Sequence, residues 1–395
     1  MNRINFLINE IKKEKELVKD SFWMFLANAI PAIMGFLMNL ILARIFNPEP
    51  FGNYKTVTYL ITFFSALISF GIPITLTKYI AQFRVKDKKK IGYMTRWFLN
   101  IRLISFSALF LILLVFLKPI TVYFLHDPSL SNLILAGFPL VFATIFGFLP
   151  SMVLGYENFK LYFFSKLVTS IGYILFVVGL GYFSGVPFSV IGLGISNLLG
   201  SLLCLKYLNK KGSFRKTNGK FNVKEIFLKF SLPMYIFTIP SFFGNAVVPV
   251  LSIFFSPELI GQYSFSFVFY YSGLVIPSTI GTVLLPRNSR LISLKDEKNI
   301  KKTLIKVFSV YTLIAVVGIL GVFLLGRTVL SIIAPEYLPG LVFFKALVSL
   351  GLISGYIIIY NSYLTAKEEL KWVALLTLIQ NLLIFLVSFL LLKSV

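Results

Sequence analysis

One cysteine and one histidine stand in 395 residues, and these scarcities remove most thiol and metal chemistry. Cys204 has no partner for an internal disulfide, and with His126 it falls short of the clustered ligands a metal site needs. Acid is scarce too: 15 Asp and Glu stand against 38 Lys and Arg, a net charge of +23. All of these acids, among them Glu49, Asp127, Glu157, Glu258 and Glu336, sit in tails, turns or the ends of apolar segments, and none lies near a segment's middle. Paired carboxylates for acid–base work or metal binding inside the apolar segments are therefore missing. So are the Gly-x-Ser-x-Gly elbow, the Gly-x-x-x-x-Gly-Lys phosphate loop, any histidine dyad and any long outer loop that could carry an active site. No enzymatic activity, cofactor or metal is expected.

What is abundant is apolar chain. With 57% hydrophobic, 16% aromatic and 13% charged residues, the protein could not bury its apolar surface in water, whereas roughly 20 apolar residues span a bilayer. Long apolar windows predict eleven spans, near 21–46, 55–83, 93–117, 130–155, 160–184, 187–206, 225–254, 260–288, 302–325, 340–366 and 371–392. Segments this long must be helices, because a helix satisfies its own backbone in lipid and barrel strands need only about 10 residues. The fold class is all-α: a polytopic membrane protein of eleven to twelve transmembrane helices. The first 20 residues are charged and lack the short apolar core of a cleavable signal, so the first span is expected to be the insertion signal.

The positive charge follows the membrane topology. Most Lys and Arg fall in the amino-terminal tail and in alternate loops, at 84–96, 160, 206–229, 287–306 and 367–371, while the intervening loops hold almost none. By the positive-inside rule these loops and the amino terminus are cytoplasmic, and the protein belongs in the cell membrane. The basic loops also suit anionic lipid head groups at the inner surface. Aromatic residues are spread through the spans rather than interleaved with the basic loops, which argues against nucleic acid as a partner.

The chain repeats itself: residues near 21–127 return, ungapped, 209 positions later. Pro31, Gly35, Leu42, Pro48, Glu49, Gly52, Tyr54, Lys86, Asp87 and Lys89 meet Pro240, Gly244, Leu251, Pro257, Glu258, Gly261, Tyr263, Lys295, Asp296 and Lys298. An even number of spans separates the two starts, so the repeats are parallel, a plan that serves alternating access. Three parts are predicted: an amino-terminal lobe over 1–209, a basic cytoplasmic linker over 210–224, and a carboxy-terminal lobe over 225–395. Extending the offset predicts a twelfth helix near 396, so the carboxyl terminus is expected outside, or the sequence stops short of that helix. Pro48 and Gly52 are expected to bracket a tight turn and to be fold markers rather than site residues, while Pro31 and Pro240 are candidates for kinks that open carbonyls to a cavity.

The run from Leu42 through Asn47-Pro48-Glu49-Pro50-Phe51-Gly52-Asn53-Tyr54, then Phe70-Gly71-Ile72-Pro73 and Lys78-Tyr79-Ile80-Ala81, resembles the opening of polysaccharide-transporter proteins, the O-antigen and lipid-linked oligosaccharide flippases. Their superfamily also contains lipid II flippases and multidrug and toxin extrusion antiporters. The wording of the resemblance is confined to about the first 85 residues, and family members usually have twelve or fourteen helices, so eleven is a departure. The major-facilitator plan also has two parallel lobes, but its Asp-Arg-x-Gly-Arg signature is replaced here by Arg84-Val85-Lys86-Asp87-Lys88-Lys89-Lys90.

The ionisable residues within or at the edges of spans are cations: Arg44, Lys78, Arg102, Lys166, Arg287 and Lys345. With no intramembrane acid beside them, they are candidate substrate-binding residues for an anion such as a phosphate or pyrophosphate lipid, and they would repel organic cations. Lys166 shares a helical stripe with Tyr162, Thr169 and Tyr173, and Lys345 shares one with Ser349, Tyr356 and Tyr360. Lys78, Arg44, Arg102 and Arg287 lie close enough to span ends to snorkel. The Asn28, Ala32, Gly35, Asn39 face suits helix packing or substrate contact.

Together these features describe an exporter of a lipid-linked oligosaccharide, with membrane lipids and polysaccharide-synthesis proteins as further partners. A multidrug antiporter is the alternative, and a scaffold for a polysaccharide-synthesis complex is a third reading of another class.

Overall fold

The computed structural model describes residues 2–215 and 222–395, with side chains described for 19–85, 87–215, 222–285, 287–289 and 291–395. The first half contains α1 (Asn2–Ile45), α2 (Pro48–Leu67), α3 (Ile72–Lys86), α4 (Lys88–Val115), α5 (Leu117–Leu125), α6 (Ser131–Leu135), α7 (Phe138–Phe146), α8 (Leu149–Gly155), α9 (Phe159–Gly172), α10 (Gly179–Ser184), α11 (Val186–Leu202) and α12 (Leu205–Lys210). The second contains α13 (Val223–Ile226), α14 (Leu232–Ser252), α15 (Pro257–Gly273), α16 (Val275–Ser293), α17 (Glu297–Ile333), α18 (Leu341–Ala366) and α19 (Leu370–Lys393). Among the described residues, ten helices or helical runs are long and apolar enough to cross a membrane, or eleven when α2 and α3, bent by 48° at their junction, count as one. The protein is an all-helical, multi-pass membrane protein.

Local chemistry accounts for the breaks. Pro48 and Pro257 open α2 and α15, where a missing N–H costs nothing because the first turn has no partner for it. The second span therefore begins at 48 and not near 55, where hydropathy placed it. Asp87 and Asp296, equivalent in the repeat, both cap helices: their carboxylates accept from the backbone N–H of Lys89 and of Asn299, each at 3.1 Å. Gly71, at φ +66°, starts α3 after the bend in a conformation that side chains resist.

Much of the expected linker, 216–221, lies outside the described residues. What precedes it is folded: Gly212 turns the chain at φ +71°, and the Ser213 hydroxyl meets Tyr156 Oη at 2.9 Å. In the first half α9 packs between α1 and α11, and α11 packs on α7, while in the second α15, α16, α17 and α19 surround α18. One apolar core runs through both halves, joining Phe51 and Tyr54 to Phe265, Tyr337 and Phe344.

Candidate functional site at the seam between the halves

The halves meet where the sequence repeats most clearly. A β-carbon on Gly52 would collide with the carbonyl of Pro257, and one on Gly261 with the carbonyl of Pro48. The contact is reciprocal, so the repeated Pro and Gly place α2 and α15 backbone to backbone about a local twofold axis. Gly52 is thus a helix-crossing residue, which corrects its reading as part of a turn. Around it Phe51 meets Tyr337 at 5.9 Å and Phe265 meets Tyr337 at 4.5 Å between ring centroids.

Hydrogen bonds close this end. Arg44 Nε donates to Ile333 O at 2.6 Å and its terminal nitrogen donates to Ile332 O, so a cation on α1 caps the carbonyl end of α17. Tyr337 Oη donates to Phe46 O at 3.2 Å, and His126 Nε2 lies 2.6 Å from Ser252 O. Each half thus grips the end of the other half's first span.

Along its length the seam is lopsided. Near the bend of the second span, Tyr235 Oη donates to Leu67 O at 2.6 Å, Ser231 Oγ donates to Phe70 O at 2.7 Å, and Lys78 Nζ stands 3.7 Å above the Phe230 ring. The equivalent pairing by symmetry, α1 with α15, is much shorter and includes the edge-on contact of Phe36 with Phe269. Phe22 and Phe25 of α1 are exposed, and a β-carbon on Gly35 would meet nothing within 4 Å.

Lys55 sits at this seam, and the sequence did not single it out. It is buried on α2, donates to Asn39 Oδ1 of α1 at 2.5 Å, and lies within 6 Å of the Phe51, Tyr54 and Tyr59 ring centroids, at 5.3, 5.8 and 5.6 Å. Asn39 in turn donates to Gly35 O at 2.7 Å. Hydropathy put Lys55 at a span edge; Asn47 followed by Pro48 was the signal that the helix starts two turns earlier.

The six cations expected from the sequence have separate surroundings. Arg44 is spent on the α17 carbonyls, and buried Arg102 donates to Thr144 O at the break between α7 and α8 and stacks over Phe148. Exposed Lys78 rests on Phe230 across the seam. Lys345 faces Phe323 of α17, with its centroid 5.5 Å away, and its stripe mate Tyr356 donates to Thr312 at 2.7 Å. Arg287 is exposed on α16. Lys166 lines a cavity of about 140 Å³, with Thr169, Tyr173, Asn197, Ser201 and Pro31; Tyr162 of its stripe stacks beneath the ammonium at 5.6 Å.

Two like helical halves, sealed at one end of the seam and loosely joined along one side, make up a multi-pass membrane protein. The chain belongs to the polysaccharide biosynthesis protein family, whose model matches residues 17–292. It is 25% identical over 325 residues to an uncharacterised membrane protein of Methanocaldococcus jannaschii, covering 77% of this chain and 74% of that one. In fold it is similar to an inward-facing multidrug resistance MATE family transporter of the MOP superfamily, with TM-score 0.63, 13% identity and coverage of 94% of this chain and 97% of the other. It is likewise similar to the lipid II flippase MurJ in its inward closed conformation, with TM-score 0.59, 17% identity and coverage of 96% and 88%. The chain thus shares the all-helical fold of these two proteins.

Proposed function

We propose that the protein is a flippase that exports an anionic lipid-linked oligosaccharide, on a polyprenyl phosphate or pyrophosphate, from the cytoplasmic to the outer leaflet by rocking its two lobes. The observation that carries this reading is Lys55. A buried ammonium costs several kcal/mol unless it is paired, and here an amide oxygen and three aromatic faces hold it while the seam is shut. Those partners all belong to the first half; parting the halves would lift away the second-half rings packed on two of them, Phe265 on Phe51 and Phe267 on Tyr59, and open the charge to an anion. Among the described residues no acid lies near the middle of a span to compete for it.

Access fits the same reading. On α16, Ser278, Thr282 and Ser289 form an exposed hydroxyl face within an apolar span, and such a face suits water better than lipid. It supports a wet path along α16, beside which a carrier lipid could keep its tail in the bilayer. Lys166, Lys345, Lys78, Arg44, Arg102 and Arg287, though in separate surroundings, add to the overall positive potential that would favour an anion.

The test is reconstitution. Proteoliposomes holding the full chain should flip a fluorescent polyprenyl-linked oligosaccharide faster than empty vesicles. Failure to do so, with efflux of an organic cation driven by a proton or sodium gradient, would make the protein an antiporter.

A further inference from the structure

The cavity beside Lys166 is lined by first-half residues, and its size separates it from a glycan path. About 140 Å³ is well below the roughly 300 Å³ at which pockets begin to hold drug-sized ligands, and matches roughly four or five waters at about 30 Å³ each. Its wall joins α1, the α7 to α8 break, α9 and α11. No acidic residue lines it, and the hydroxyls of Ser165 and Thr169 are turned to backbone, donating to Gly200 O at 2.6 Å and Ser165 O at 3.2 Å. That leaves the Lys166 ammonium as the charged donor, with the Tyr173 hydroxyl on the same wall and the Asn197 amide beside it, one of whose two N–H groups donates to Leu193 O at 2.8 Å. A second cation, Arg102, donates to Thr144 O near the break that contributes Gly147 and Pro150 to the cavity, and adds positive potential on that side.

We propose that this cavity is a binding site for one phosphate-sized oxyanion, held by Lys166 with Tyr173 and Asn197 as hydrogen-bond partners. A pyrophosphate-linked sugar is too large for it. A single phosphoryl group with a few waters fits, whether it comes as inorganic phosphate or as the head of a prenyl monophosphate. Assigning the lipid as the source rests on the flippase reading; the site itself does not.

Calorimetric titration of the full-length purified protein with inorganic phosphate tests it without any transport step. Saturable binding is expected, weakened at least tenfold in Lys166→Met, kept within about threefold in Lys166→Arg, and unchanged in Lys229→Gln, whose side chain is 77% exposed. Thermal unfolding of each variant with and without phosphate separates a lost site from a lost fold. If a short-chain prenyl monophosphate displaces phosphate while the matching prenyl alcohol does not, the lipid head group is the ligand. If phosphate binds through Lys166 but the prenyl phosphate does not displace it, the ligand is the free anion. Absence of phosphate binding, or binding indifferent to Lys166→Met, would overturn the site, and neither result depends on whether glycan is flipped.

Discussion

Gly52 and Gly261, equivalent in the repeat, each lie against the opening proline of the other's helix. The symmetry makes one block of sequence serve twice at a single contact. Enlarging either glycine should wedge the halves apart at this end, with an overpacking cost of about 1–3 kcal/mol. In Gly261→Val, a cysteine replacing the fully buried Phe51, with Cys204 removed, should become reactive to a thiol reagent. Equal protection in the variant and its parent would show that the seam tolerates the bulk.

Lys55 and Lys345 should differ from surface lysines in their effect on transport. Lys55→Met and Lys345→Glu are expected to lower glycan flipping at least tenfold while expression and thermal stability change little. Lys55→Arg should recover part of the rate, since the charge is kept. Normal export by Lys55→Met would remove the buried ammonium from the pathway, and a complex that assembles without transport would exclude the scaffold reading.

Orientation follows from the basic loops. Single cysteines at Lys210 and Lys295 should be protected from a membrane-impermeant thiol reagent on intact cells, and those at Glu49, His126 and Glu336 should be labelled. The reverse pattern would place the latched end, where His126 meets Ser252, in the cytoplasm.

Voltage should assist export. Each charge crossing the membrane gains about 2.3 kcal/mol per 100 mV, so a head group with two uncompensated negative charges would gain about 4 to 5 kcal/mol toward the outside of an inside-negative cell. Collapsing the potential in proteoliposomes, with no proton or sodium gradient, is expected to slow net outward flipping. A rate insensitive to voltage but restored by a sodium or proton gradient would mean ion exchange.

Hydropathy by itself determined the helical membrane class and nearly every span, because the bilayer sets a length that local composition must meet. The repeat was equally plain, with Pro48 and Gly52 against Pro257 and Gly261, but its meaning was not. Whether a glycine serves a turn or a helix crossing depends on what lies opposite it, here the other half of the chain. The cations show the same division. Arg44, Lys78 and Arg102 looked alike as charges at or inside spans, and tertiary contacts with Ile332, Phe230 and Thr144 occupied all three. Lys55 escaped notice because hydropathy blurs helix starts, whereas its burial between α1 and α2 arises only when Asn39, 16 residues earlier, folds beside it. Composition settled which solvent the chain occupies; packing across the seam decided which charges remain free to act.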